Sequence, residues 1–412
     1  MTEKIENKNL PKDLLIKKLS EFGEDFKYHH KNYEAVSISA IRHTGGVLDF
    51  GNLVFHFPQA FGFCYGVDKA IDMVFETCER FVGERIFLTD QLIHNPYING
   101  KLKEKGVRYL KRDRRHLLIC DELKSGDIVV VSAFGTDFRD IQNLKSKSVT
   151  IVDSTCGAII NVWKRVEGYA KKGFITIMHG KLNHEETRAT VSQAVKEGGA
   201  YIIIENIKEA EELARVIRGE IKEEDFIKKY PQAVPENFSF NSADCKMGMA
   251  NQTTMLKGES LRIQELLQKA FQDHFGEDAA ALRFKSFDTI CGATQDRQDA
   301  LRNLLTKSLD LLIIVGGFNS SNTSHLAEIS ARMPENGSVP FYHIESAGDI
   351  ISQNKIRHRN PLSGQIENTE RWLKNQTQHV GITSGASTPD VTLLEIIQRL
   401  AGLLDKNSSS KS

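Results

Sequence analysis

The chain has 412 residues, 40% hydrophobic and 26% charged, with 54 Lys+Arg balanced by 54 Asp+Glu. That length allows two or three domains with a sizeable core, and the zero formal charge gives no ground for nucleic-acid binding, so an anionic ligand must be held by local donors. The longest apolar runs, such as 311–315, are strand-length and cannot span a membrane, and the first 30 residues mix Lys with Glu and Asp, unlike a secretory signal or transit peptide; a cytoplasmic protein is expected.

Residues 1–50 read as an N-terminal extension, with an amphipathic helix over 10–22 and a strand over 35–41, and carry no chemical motif. The body then runs in three laps. The first, an α/β unit over 51–148, has a strand at 53–57, then Cys64, a helix over 68–80 and a strand at 85–89. It continues through a turn with His94-Asn95-Pro96, a strand at 127–132, a turn at 133–137 and a helix to 144. The second unit, 149–280, has a strand at 149–152, Cys156, a helix over 159–170 and a strand at 174–178. That strand ends in His179-Gly180-Lys181-Leu182-Asn183-His184-Glu185-Glu186-Thr187. Strands at 201–204 and 247–250 follow, the latter running into Asn251-Gln252-Thr253-Thr254 before a helix to 271. An insertion at about 208–244, rich in Glu and Lys, reads as a solvated helix and loop with no catalytic role. The third unit, 281–405, has a strand at 284–287, Cys291 and its helix. A strand at 311–315 then leads to Gly316-Gly317-Phe318-Asn319-Ser320-Ser321-Asn322. A strand at 379–383 leads to Ser384-Gly385-Ala386-Ser387-Thr388-Pro389-Asp390 and a helix to 404. A polar tail, 406–412, closes the chain.

Six cysteines spread through such a chain do not form a disulfide framework. Cys78, on a helix, and Cys120, in an apolar strand, read as small buried hydrophobes, and Cys245 lies in a polar loop without a pattern. The other three recur in one context. Asp153-Ser154-Thr155-Cys156-Gly157-Ala158 is repeated as Asp288-Thr289-Ile290-Cys291-Gly292-Ala293, and more loosely as Phe61-Gly62-Phe63-Cys64-Tyr65-Gly66-Val67. Each lies between a strand and a helix. From the cysteine to the polar cluster after the next strand is 30 residues for Cys64 to His94, 28 for Cys156 to His184 and 29 for Cys291 to Ser320. A helix, a strand and two turns of a βαβ unit occupy about that length. The expected fold is therefore three pseudo-symmetric α/β units whose strand carboxyl ends face a common centre, where ligands of α/β sheets gather. A single doubly wound sheet with fortuitous cysteines is the plainer alternative.

Structural zinc sites draw ligands as close C-x₂₋₄-C pairs, and ferredoxin-type clusters use C-x₂-C runs with four cysteines; neither pattern occurs. Three separated cysteines, one per unit, suit a [4Fe–4S] cluster with one iron open as a Lewis acid and a one-electron donor. His94, His184, Thr253, Ser320, Ser321, Asn322 and Ser387 all fall just past strands, and hydroxyls, amides, imidazoles and helix N-termini are donors to phosphate oxygens. Singly each is ordinary; Ser-Ser-Asn before a helix is commonly an N-cap. Glu186, flanked by His184 and Thr187, is the candidate proton donor, with a first-turn helix acid as its ordinary alternative.

These motifs resemble the 4-hydroxy-3-methylbut-2-enyl diphosphate reductase family, which ends the non-mevalonate isoprenoid pathway. The resemblance covers residues 53–404 and rests on Gly62-Phe63-Cys64-Tyr65-Gly66-Val67, Ile93-His94-Asn95-Pro96, Asp153-Ser154-Thr155-Cys156, His184-Glu185-Glu186-Thr187, Gln252-Thr253-Thr254, Asp288 to Thr294, Asn319-Ser320-Ser321-Asn322 and Ser384 to Asp390. The His-Gly-Lys…His-Glu-Glu-Thr form and the inserted length are similar to the cyanobacterial and plastid branch. The resemblance implies a trefoil of three α/β units around a [4Fe–4S] cluster held by Cys64, Cys156 and Cys291. It also implies Glu186 as proton donor and His94, His184, Ser320, Ser321, Asn322 and Ser387 as the grip on the diphosphate, with Thr253 near the reacting end. The implied products are isopentenyl and dimethylallyl diphosphate, and the implied electron donor is reduced ferredoxin or flavodoxin. One departure stands out: short bacterial members carry a diphosphate-binding histidine where this chain has Phe134, which cannot donate a hydrogen bond.

Two rivals share the cysteine pattern. A quinolinate-synthase-like enzyme also surrounds a three-cysteine cluster with α/β units, but binding dicarboxylates would need central arginines where Ser, Thr, Asn and His stand here. A non-catalytic iron–sulfur sensor would leave Glu186 dispensable.

Overall fold

Runs of β-branched and aliphatic residues set the strands. Ile128–Val131 and Leu311–Val315 are buried along their whole length, as parallel strands covered on both faces require. The computed structural model describes residues 41, 46–49, 53–333, 339–374, 377 and 379–405. The expected helix over 10–22, the tail 406–412 and the strand over 35–41, apart from the buried Ile41, lie outside the described residues.

The chain divides into two compact units. One holds the described residues up to Tyr65, His94–Pro96 and those from Gln295 on. Its eight-stranded sheet runs in the order Val47–Asp49, Val54–His56, His379–Ser384, Leu311–Val315, Phe341–Ile344, Lys355–Arg359, Ile350–Ser352, with Ile366–Glu370 also paired to Lys355–Arg359. Its central ladders are parallel. The helix Asp390–Asp405 lays Leu393, Ile396, Ile397 and Leu400 against Phe55, Ile313, Val315, Val380 and Ile382 to make the core. The antiparallel ribbon of 350–370 was not expected. Its strand Ile366–Glu370 is polar and mostly exposed, so it lacks the apolar period that marks a buried strand.

The other unit, Gly66–Ile93 and Tyr97–Thr294, contains two four-stranded, all-parallel sheets. One runs Arg108–Tyr109, Ile86–Leu88, Ile128–Val131, Thr150–Asp153. The other runs Phe284–Ser286, Met247–Asn251, Ile175–His179, Tyr201–Ile204. The strands leading to Cys156 and Cys291 are thus edge strands, paired with Ile128–Val131 and Met247–Asn251 respectively. Within this unit the helices Gly157–Ala170 and Glu185–Lys196 pack side by side, tied by Trp163 Nε1 donating to Thr190 Oγ1 at 3.1 Å.

Two expectations are corrected. Cys120 is buried but lies outside any strand, after the isolated bridge between Arg112 and Leu118. The insertion is not simply solvated. Its helix Ile207–Ile217 buries Ala210, Leu213, Ala214, Val216 and Ile217, which join Ile263, Leu267 and Phe271 of the helix Lys257–Phe275 in one cluster. Glu and Lys coat only its outer face, which is how an amphipathic helix hides its core stripe among charges.

Candidate functional site

Each of the three recurrent cysteines is the residue immediately before a helix: Cys64 before Tyr65–Arg80, Cys156 before Gly157–Ala170 and Cys291 before Gly292–Leu304. Their backbone amides share a second regularity. Cys64 N–H donates to Ala386 O at 3.1 Å, Cys156 N–H to Ala133 O at 3.0 Å and Cys291 N–H to Thr253 O at 3.0 Å. Every acceptor lies two residues beyond the parallel strand beside the one that leads to the cysteine: His379–Ser384, Ile128–Val131 and Met247–Asn251. The Asp-x-x-Cys repeat has a local cause. Asp153 Oδ1 accepts the amide of Thr155 at 3.0 Å, and Asp288 Oδ1 that of Ile290 at 3.1 Å; these Asx turns deliver the cysteine to the helix start. The looser copy builds its turn differently: Gly62, at φ +76°, donates its amide to Ser384 Oγ at 2.8 Å.

All three thiols are half-buried and free of disulfides. A Cβ on Gly66 would lie 2.5 Å from Cys156 Sγ, so only glycine leaves that sulfur its room. The remaining cysteines behave as inert thiols: burial raises Cys78 and Cys120, and pushes Cys245 up to about 11.

Glu186 stands in the first turn of the helix Glu185–Lys196 and is only 1% exposed. Its Oε1 accepts the Thr253 amide at 2.6 Å and its Oε2 the Thr253 hydroxyl at 2.9 Å. Burial pushes its carboxyl up to about 7, against the two Thr253 bonds that favour the ionised form. His184 caps the same helix, its Nδ1 accepting Glu186 N–H at 3.2 Å. A neutral ring accepting at Nδ1 carries its proton on Nε2. Phe134 presents its ring to His184 edge-on at 5.4 Å, so the position that departs from the bacterial pattern packs on the histidine instead of offering a donor.

The other unit gathers the second set of donors. His94 is buried, with Nδ1 3.1 Å from Asn319 Nδ2; an amide NH₂ can only donate, so this ring too holds its neutral proton on Nε2. Ser387 Oγ lies 3.4 Å from His94 O. Ser320 caps the helix Ser321–Ala331 by accepting Thr323 N–H at 3.3 Å. Ser321 Oγ is buried without a hydrogen-bond partner among the described residues, and Asn322 Oδ1 accepts Ala386 N–H at 3.1 Å. Hydroxyls, an N–H-bearing imidazole and a helix N-terminus make an anion-accepting surface. Within their own units, the residues expected from the sequence therefore fall into two groups: His94, Ser320, Ser321, Asn322, Ser387 and Cys64 in one, and Cys156, His184, Glu186, Thr253 and Cys291 in the other. Asn319, which fixes the His94 ring, had no role assigned from sequence. Its place inside the Asn319-Ser320-Ser321-Asn322 motif was the available signal.

A family model described as LytB protein matches residues 56–401. The 4-hydroxy-3-methylbut-2-enyl diphosphate reductase of Gloeobacter violaceus is 39% identical over 384 residues, 92% of this chain and 89% of the relative. That of Trichormus variabilis is 40% identical over 371 residues, 90% of each chain. Among solved structures, the E-1-hydroxy-2-methyl-but-2-enyl-4-diphosphate reductase from Plasmodium falciparum is similar in fold, with a TM-score of 0.62 and 23% identity, covering 84% of this chain and 87% of that one. The α/β fold expected from the three laps is the fold of that structure. No helix among the described residues is long and apolar enough to cross a membrane. With a family model spanning most of its length and relatives this similar over about nine-tenths of it, the chain belongs to the LytB protein family.

Proposed function

We propose that this chain reduces 4-hydroxy-3-methylbut-2-enyl diphosphate to isopentenyl and dimethylallyl diphosphate, with a [4Fe–4S] cluster held by Cys64, Cys156 and Cys291. The observation that carries the cluster assignment is the threefold recurrence of one local structure. A half-buried cysteine outside any disulfide precedes a helix, and its amide is tied to the turn of the adjacent strand. Three thiols, with room kept at Cys156 by Gly66, fit a cluster that takes three protein ligands. When bound, such a cluster supplies electrons singly and one iron open to an oxygen ligand. Electrons would come from reduced ferredoxin or flavodoxin.

The net reaction takes up two electrons and two protons, breaks one C–O bond, forms one C–H bond and releases water. Glu186 holds one of those protons. Its carboxyl titrates at about 7, so a large fraction is protonated at neutral pH. Thr253 orients it and, having both a donor and two acceptor positions on its hydroxyl, can pass the proton on. His94 and His184 would offer Nε2–H to the diphosphate, and Ser320, Ser321, Asn322 and Ser387, with the amides of the helix Ser321–Ala331, would complete its grip. Donors of this kind, together with the names of the relatives, favour a diphosphate over the dicarboxylate of a quinolinate-synthase-like enzyme. The same proposal counts units over 51–148, 149–280 and 281–405, behind the extension 1–50.

The test is turnover under anaerobic conditions with dithionite and a viologen dye. Isopentenyl and dimethylallyl diphosphate should appear as the hydroxylated diphosphate disappears. Iron-loaded protein that leaves this substrate untouched would overturn the proposal.

A further inference from the structure

Glu186 and Thr253 meet across two segments that are far apart in sequence, the head of the helix Glu185–Lys196 and the turn after Met247–Asn251. Two hydrogen bonds join them. A second bond runs alongside, from the residue after Glu186 to the residue before Thr253: Thr187 Oγ1 donates to Gln252 Oε1 at 3.2 Å. The same Gln252 oxygen accepts Lys181 N–H at 2.9 Å, and Gln252 Nε2 donates to Thr254 Oγ1 at 2.8 Å. The Gln252 amide donates to His179 O at 2.8 Å. One fully buried side chain thus touches the loop that leads to His184, the residue after Glu186 and the residue after Thr253. Gly180 closes the arrangement. A Cβ there would lie 2.7 Å from Thr187 Oγ1 and 2.9 Å from Gln252 Cβ, so any side chain would wedge the contact open.

We infer that Gln252 is a positioning residue of the reaction, its carboxamide holding the helix head and the 252–254 turn in the register that sets Thr253 against Glu186. The inference rests on Glu186 being the proton donor. A buried carboxamide with its oxygen and its NH₂ both engaged can sit only one way round. Its removal leaves Lys181 N–H and Thr187 Oγ1 without that acceptor and frees the two segments to slide. Misplacement of a catalytic group by about 1 Å costs roughly 10²-fold in rate. Thr253 also supplies both hydrogen bonds that hold the Glu186 carboxylate down, so a loosened contact lets the carboxyl titrate higher. Other ionisable groups at this helix head are His184, whose Nδ1 accepts Glu186 N–H, Glu185, 3.7 Å from that nitrogen, and Arg188, which donates to Asn183 O at 2.6 Å.

The experiment compares the holoenzyme with Gln252→Leu, Thr187→Val and Glu186→Gln, measuring iron content, visible absorption, kcat, KM and the pH dependence of kcat. For Gln252→Leu the expected result is unchanged iron and absorption, kcat lower by about 10²-fold with KM within about twofold, and the basic limb of kcat displaced to higher pH. Thr187→Val, which loses one hydroxyl, should shift the same limb less; it carries the test alone if Gln252→Leu does not fold. A folded Gln252→Leu with the wild-type limb overturns the inference, whether its kcat is unchanged or only its thermal stability falls. Should Glu186→Gln turn over at full rate, the proton-donor assignment falls and this inference with it. If Glu186→Gln is inactive while Gln252→Leu behaves as wild type, only the role of Gln252 is lost.

Discussion

A carboxyl buried to 1% exposure with two donors on it sits between opposing demands. Desolvation favours the neutral acid and Thr253 favours the carboxylate; desolvation wins, at about 7. Turnover that needs the acid form should be flat below that pH and fall above it, about tenfold per unit. Glu186→Gln, which keeps the shape and loses the proton, should cut kcat by at least about 10²-fold while substrate still binds; a pre-steady-state proton-transfer assay reads the difference. The same group taxes the fold. Its folded value lies above the unfolded 4.5, so its contribution to stability is complete below 4.5 and is lost as pH rises through about 7. Glu186→Gln should therefore be the more stable protein at pH 8, by up to about 3 kcal/mol, and close to wild type at pH 4.5; thermal unfolding at the two pH values checks the sign. His184, Glu186 and Thr253 were legible in sequence as polar residues after strands. The pairing of 186 with 253 was not, because a contact across 67 residues depends on two strands lying side by side.

At the scale of elements, the start of the helix Ser321–Ala331 separates a capping hydroxyl from one that caps nothing. Ser320 Oγ accepts the Thr323 amide, whereas Ser321 Oγ caps nothing. Ser320→Ala should lose about 1 kcal/mol of stability as well as affinity for the diphosphate. Ser321→Ala should raise KM with the melting temperature unchanged, and calorimetry beside substrate titration distinguishes the two. The insertion offers a packing prediction. Leu213, fully buried against the helix Lys257–Phe275, should cost about 2–5 kcal/mol on truncation to Ala, where a solvated helix would tolerate it; urea unfolding decides. Strands of continuous apolar residues, such as 201–204 and 311–315, were readable to the residue. The polar edge ribbon at 350–370 and the short helix Pro96–Glu104 were not, since neither shows a strong apolar period. Nor can a count of strands and helices say which sheet a strand joins: Thr150–Asp153 and Phe284–Ser286 pair backward along the chain through contacts that no local period encodes.

At the scale of the whole molecule, the repeat seen in the sequence recurs as a repeat of hydrogen bonds. The near-constant steps from each cysteine to a polar cluster span one helix of 16, 14 or 13 residues and one strand of 3 or 5, and the three amide bonds to Ala386, Ala133 and Thr253 show the same joint built three times. The sequence motif alone made the second and third copies look alike and the first look loose. The cause is local, an Asx turn in two copies and a Gly62–Ser384 bond in the other. Chemistry at the three joints is the central claim, and one measurement tests it most directly: iron and acid-labile sulfide per chain, with turnover of 4-hydroxy-3-methylbut-2-enyl diphosphate, for anaerobically purified wild type and for Cys64→Ser, Cys156→Ser and Cys291→Ser singly. Wild type should hold about four irons per chain and turn over, while each substitution lowers both iron and turnover and Cys245→Ser changes neither. Full iron and full turnover in any of the three single variants would contradict the account.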